Sequence, residues 1–88
     1  MNHRTTPKFW QAYEQLPEDV QRLADEKFTW LKADPRHPSL HFKKVGRLWS
    51  ARVDIHHRTL AVEDGENMIW FWIGPHGEYE RIIAGRRG

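Results

Sequence analysis

The spacing of hydrophobic residues changes character partway along the chain. From Pro7 onward, Phe9, Ala12, Tyr13 and Leu16 recur at three- and four-residue steps, which place them on one face of a helix. Thr6-Pro7 suits the start of such a helix: threonine can cap the first free amides, and proline at the first helical position loses no hydrogen bond. The pattern predicts a helix over about residues 7–15. Leu16-Pro17-Glu18-Asp19 breaks it and opens a second helix, whose two early acids complement the positive end of the helix dipole. Val20, Leu23, Ala24, Phe28 and Leu31 give this helix an apolar stripe, and Asp34-Pro35 ends it. The two segments read as a helical hairpin packed against something flat.

After Pro38 the period becomes two. Ser39 to Val45 places Leu40 and Phe42 on one side, Gly46-Arg47 turns, and Leu48 to Ile55 alternates Trp49, Ala51, Val53 and Ile55 with polar Ser50, Arg52 and Asp54. A further strand over about His57 to Glu63 meets Asp64-Gly65, a dipeptide favoured in tight hairpin turns. The next segment, Met68-Ile69-Trp70-Phe71-Trp72-Ile73, has no polar side, so both its faces must be covered and it belongs in the middle of a sheet. With a short first strand at His3 to Thr6, the expected fold is α+β: an N-terminal helical hairpin packed on a mostly antiparallel four- to five-stranded sheet.

Composition narrows the class. At 88 residues, without a Ser- or Gly-rich linker, a single domain over 1–88 is expected. The apolar share is only 39%, but five Trp, four Phe and two Tyr bury much surface each and make a compact core feasible. The lack of cysteine excludes a disulfide scaffold, thiol catalysis and cysteine-based zinc sites. With neither a signal-peptide pattern nor a stretch long enough to span a membrane, a cytoplasmic location is expected.

Charge is segregated, although the net value is only +2. Arg36, Lys43, Lys44, Arg47, Arg52 and Arg58 stand against the single acid Asp54, while residues 14–34 are rich in Glu and Asp. A basic patch of that density attracts polyanions such as nucleic acid, or is an ordinary solvated face. Arg52 and Arg58 fall on neighbouring strands and can project near one another, with Lys43 or Lys44 on the next strand across. Their forked donors suit phosphate oxygens and a charged transition state; alternatively Arg52 pairs with Asp54 or Glu63 and only solubilises the sheet. His56-His57 makes a poor metal site, because adjacent strand residues point to opposite faces, and no metal is expected. His76, Glu78 and Tyr79, just beyond the apolar strand, offer a proton-transfer imidazole, a carboxylate and a phenol. Otherwise Tyr79 is a lid on the core and His76 only caps a short terminal helix.

In the order and spacing of Leu16-Pro17-Glu18-Asp19-Val20, Asp34-Pro35-Arg36-His37-Pro38-Ser39-Leu40, Trp49-Ser50-Ala51-Arg52-Val53, His57-Arg58-Thr59-Leu60 and Trp72-Ile73-Gly74-Pro75-His76-Gly77-Glu78-Tyr79, the chain resembles the RelE/ParE superfamily of small bacterial toxins from type II toxin–antitoxin systems. The resemblance spans nearly the whole chain and implies the fold described above. Its RelE-like branch implies a ribosome-dependent mRNA endonuclease that works without cofactor or metal, the 2′-hydroxyl attacking the neighbouring phosphate. Carried onto this chain, that branch implies Arg52 and Arg58 as phosphate and transition-state stabilisers, His76 for proton transfer, Tyr79 and less securely Glu78 beside it, and Lys43, Lys44, Arg47 and His57 as RNA-binding residues. Gly77 stands where many relatives carry a basic residue, and Ser50 where some carry lysine, which leaves general base and general acid open. The implied partners are a cognate antitoxin, the ribosome and mRNA, with the oligomeric state of the free toxin undetermined. The ParE-like branch implies instead a DNA gyrase poison, and a third reading is a non-catalytic RNA-binding relic of the fold.

Overall fold

A computed structural model describes residues 1–87. The elements run β1 (Asn2–Thr5), α1 (Pro7–Glu14), α2 (Glu18–Ala33), a 3-10 turn (Pro38–Leu40), β2 (Lys43–Val45), β3 (Leu48–Arg52), β4 (His57–Asp64), β5 (Asn67–Pro75) and α3 (His76–Arg87). The five strands form one sheet in the order β1-β5-β4-β3-β2, antiparallel except for the parallel β1–β5 pair. The architecture is the α+β layering expected, and the apolar strand β5 lies between β1 and β4.

Helix starts follow the local rules. Thr6 is extended and its hydroxyl accepts from Phe9 N at 3.1 Å, with Pro7 at the first helical position. The hairpin buries Leu16, Val20, Ala24 and Leu31 against the sheet residues Ala51, Ala61, Met68, Trp70 and Ile73 and against Val53 in the bend after β3. Four large side chains, Leu40, Leu48, Leu60 and Met68, are at most 1% exposed, and each such burial contributes roughly 1.5–3 kcal/mol. On β1, His3 Nδ1 accepts from Trp70 Nε1 at 3.0 Å and its ring stacks on that indole. Burial first, then the N-terminal amine and Lys32, hold the His3 imidazole below its usual pKa.

Four local expectations are corrected. Ser39 to Val45 is not one strand: a 3-10 turn carries the buried Leu40, and only Lys43–Val45 pairs. Leu48 to Ile55 stops pairing at Arg52, and Ile55 lies in the following bend at 65% exposure. Ser50 is not on a solvated face, being 2% exposed in a cross-sheet row with Leu60 and Trp72. That second face is covered by α3, whose Tyr79 and Ile83 pack on Leu48, Leu60 and Trp72. The hairpin after β4 turns at Gly65-Glu66, one residue later than the Asp64-Gly65 signal suggested, and Gly65 takes the positive φ of +60° that its first central position demands.

A bulge explains why β5 is apolar on successive residues. Leu60 faces Trp72 while Ala61 faces Trp70, so Phe71 is an extra residue without a cross-strand partner. The slip switches the alternation: Met68, Trp70 and Ile73 all join the clusters under the helical hairpin, whereas Trp72 joins the α3 side. Gly74 follows on the Trp72 side, where an added Cβ would lie 2.6 Å from the indole Cζ2. Because Trp72 is packed at 9% exposure and has little room to yield, Gly74→Ala is expected to lower stability by about 1–3 kcal/mol, measured by urea denaturation.

Candidate active site

Cross-strand register gathers the basic residues. Arg52 on β3 is opposite Arg58 on β4, which is opposite Gly74 on β5. This row runs beside Lys43–Ser50–Leu60–Trp72, about 7 Å along the strands and on the same face. Between the two rows and α3 lies a cleft of about 230 Å³, lined by His41, Lys43, Arg52, Arg58, His76, Tyr79 and Glu80, with Ser50, Val45 and Ile83 at its base.

Two guanidiniums directly opposite one another are unfavourable by about 0.2–1 kcal/mol unless something neutralises them. Here no carboxylate does: among the described residues the ion-pair contacts are His57–Asp54 at 2.9 Å and His76–Glu80 at 3.2 Å. The alternative in which Arg52 pairs with Asp54 or Glu63 therefore does not occur. Arg58 is held by backbone instead, its NH1 donating to Asp54 O at 2.6 Å and to His57 O at 3.0 Å. Its remaining N–H groups are left for another acceptor.

Asp54 organises the bend that holds Arg58. Its Oδ1 accepts from His56 N at 2.8 Å, an Asx turn, and pairs with His57 Nδ1 at 2.9 Å. Burial alone would raise the Asp54 carboxyl; the hydrogen bonds from the His57 ring and the His56 amide outweigh it and hold the group below the usual carboxylate range. The same bend fixes the start of α3, because His76 N donates to His56 O at 2.7 Å.

The sequence-derived candidates separate accordingly. Arg52, Arg58, His76, Tyr79 and Lys43 share the cleft. Tyr79 is 6% exposed and packs with Leu48, Leu60, Trp72 and Ile83, so it is at once part of the core and part of the cleft wall. His76 stands in the first turn of α3, its ring 5.7 Å from that of Tyr79. Glu78 is exposed and outside the cleft; the carboxylate that α3 brings to His76 is Glu80, one helical turn on. Lys44 is opposite Trp49 and so on the other face from Lys43, Arg47 is in the exposed β2–β3 turn, and His57 is engaged with Asp54. No group of three metal-ligating side chains is gathered among the described residues.

One cleft residue carried no sequence signal. His41 follows the 3-10 turn with φ 45° and ψ 42°, the single non-glycine residue of positive φ among those described. That conformation costs about 1–2 kcal/mol for most side chains. Its Nε2 lies 3.5 Å from Arg52 NH1. An isolated histidine between Leu40 and Phe42 has no spacing to mark it; only the turn carries it into the cleft.

Against solved structures, the chain has the fold of the RelE-like toxins. It is similar to the RelB–RelE antitoxin–toxin complex from Methanococcus jannaschii, with a TM-score of 0.71 and 10% identity over 90% of this chain and 96% of that one. The toxin RelE of E. coli in its free state matches with a TM-score of 0.65 and 11% identity over 98% and 95% of the two chains. The RelBE2 toxin–antitoxin complex from Mycobacterium tuberculosis matches at 0.63 and 20% identity over 85% and 90%. No protein-family model matches the chain, and no curated protein sequence matches it significantly. None of the described helices is long and apolar enough to cross a membrane.

Removing the Asp54 carboxylate should loosen the bend. Asp54→Ala is expected to cost about 1 kcal/mol at neutral pH. Because the folded-state carboxyl is depressed, that contribution is fully present above the ordinary carboxylate range and is lost as pH falls through the folded value. Thermal unfolding of both proteins across an acid series should show the gap closing only at the acid end.

Proposed function

We propose that this protein is the toxin of a type II toxin–antitoxin system and acts as a ribosome-dependent mRNA endonuclease. The observation that carries this reading is the pair of facing guanidiniums, Arg52 and Arg58, without a carboxylate partner among the described residues and with the imidazole of His76 and the ring of Tyr79 in the same cleft. Such a site is unsatisfied until an anion enters, and a phosphodiester is the anion whose oxygens suit two forked donors.

Arg52 and Arg58 take the phosphate and stabilise the charge that grows on it during attack by the 2′-hydroxyl. His76, with the Glu80 carboxylate 3.2 Å from its Nε2, moves a proton, and Tyr79, locked in the core, fixes one wall against which the substrate is positioned. Lys43 extends the positive surface along the strand toward the next phosphate. At about 230 Å³ the cleft has room for a phosphate and groups that flank it. The fold kinship with RelE toxins supports the same assignment, and the unpaired cations suit an antitoxin segment rich in acids.

Induced expression should halt growth and produce mRNA cut within translated frames, mapped by primer extension. His76→Ala and Arg58→Ala should each reduce cutting on the order of 10²-fold while leaving the protein folded. Arg58→Lys should recover little, since a single ammonium cannot both hold the bend carbonyls and reach the phosphate. Arrest with intact mRNA and trapped gyrase–DNA complexes would assign the protein to the gyrase poisons instead, and no arrest at all would make it a relic.

A further inference from the structure

One imidazole leaves the chemistry incomplete. Cleavage by a 2′-hydroxyl needs a group to accept that hydroxyl's proton and another to protonate the departing 5′-oxygen, on opposite sides of the phosphorus. We propose that His41 is the general base of this cleft, with His76 as the general acid. The inference rests on the endonuclease reading above and adds to it a catalytic residue.

Three observations carry it. First, the backbone at His41 is strained, and the strain is held from both sides: Leu40 is fully buried, Phe42 stacks on Trp49 at 4.9 Å, and His41 N donates to Pro38 O at 3.3 Å. A left-handed position after a helical turn is usually glycine or asparagine, so a histidine whose ring reaches a polar cleft marks a functional position. Second, the two histidines stand at opposite ends of the guanidinium pair. His41 is beside Arg52 on β3, and His76 leaves the end of β5, two strands away with Arg58 on β4 between them. Strand spacing sets Arg52 and the end of β5 about 10 Å apart across the sheet, enough for a phosphate and its two flanking oxygens between them. Third, the two rings have different neighbours. A guanidinium only donates, so His41 Nε2 presents its lone pair toward Arg52, whereas His76 Nε2 lies 3.2 Å from Glu80 Oε1, an ion-pair contact for a protonated ring. The His41 contact is long at 3.5 Å, and a substrate hydroxyl entering beside Arg52 can take its place.

In the step that follows, His41 Nε2 takes the 2′-hydroxyl proton as the 2′-oxygen bonds to phosphorus. The bond from phosphorus to the 5′-oxygen breaks with its electron pair on oxygen, which receives a proton from the His76 imidazolium. The products are a 2′,3′-cyclic phosphate and a 5′-hydroxyl, and proton exchange with water restores both rings. The charged and titratable groups facing His41 in this arrangement are Lys43, Arg52, Arg58, His76, Tyr79 and Glu80.

The test is single-turnover cleavage of mRNA on programmed ribosomes by the purified protein, over a pH series, with two substrates: the natural linkage and one with sulfur in place of the bridging 5′-oxygen. His41→Asn retains tolerance for the left-handed backbone while removing the base. It should slow cleavage of the natural linkage by on the order of 10²-fold or more, abolish the acidic limb of the pH profile, and leave ribosome binding and the unfolding midpoint unchanged. A thiolate leaves without protonation, so the sulfur substrate should rescue His76→Asn and fail to rescue His41→Asn. Rescue of His41→Asn instead would reverse the roles and overturn the assignment. Wild-type rates for His41→Asn, or a lowered rate with the pH profile unmoved, would also overturn it, leaving the endonuclease reading intact if His76→Asn remains impaired. Failure of the wild-type protein to cut either substrate would overturn both.

Discussion

Everything in this molecule is arranged around a strand that cannot be left half exposed. β5 carries large apolar groups on consecutive residues, and in a regular strand those would point alternately into the core and into water. Two features reconcile it with the fold. α3 covers the face that the helical hairpin leaves open, and the bulge at Phe71 turns Ile73 back to the side of Met68 and Trp70. The strand is thereby anchored from both faces, and its far end, Gly74-Pro75-His76, emerges at a determined position beside Arg58.

Electrostatics then sets the character of that end. The only acid in the basic stretch, Asp54, is engaged by the His56 amide and the His57 ring, so it shapes the bend and neutralises neither arginine. Arg58 is tied to the carbonyls of that bend and Arg52 has a histidine beside it, which leaves two adjacent positive charges facing a cleft. The small unfavourable energy of that pair is retained by a core strong enough to hold it, an arrangement suited to a group whose task is to bind an anion.

Much of this was legible in the chain. The Thr6-Pro7 and Pro17 signals, the apolar stripe of α2 and the Met68 to Ile73 run led to the hairpin, the sheet and the central strand, because propensity and periodicity act over a few residues. The likeness of motif order pointed to the toxin fold that the solved structures bear out. Arg52, Arg58, His76 and Tyr79 could be named as candidates, but the carboxylate named beside them was Glu78, and Glu80 was not. Proximity in sequence does not reveal helix phase, and the carboxylate a helical turn beyond His76 is the one that meets its ring. Tyr79, Ile82 and Ile83 likewise made too short a stripe to announce α3 as the cover of a whole face.

The amino-acid sequence by itself determined the elements, their order, the segregation of charge and the residue types from which a site could be made, since these depend on local sterics and burial. Only the tertiary structure decided which charges remain unpaired, which face Ser50 occupies and that His41 joins the cleft. Those outcomes depend on cross-strand register, on a one-residue bulge and on a single left-handed backbone position, each of which brings together residues that lie far apart along the chain.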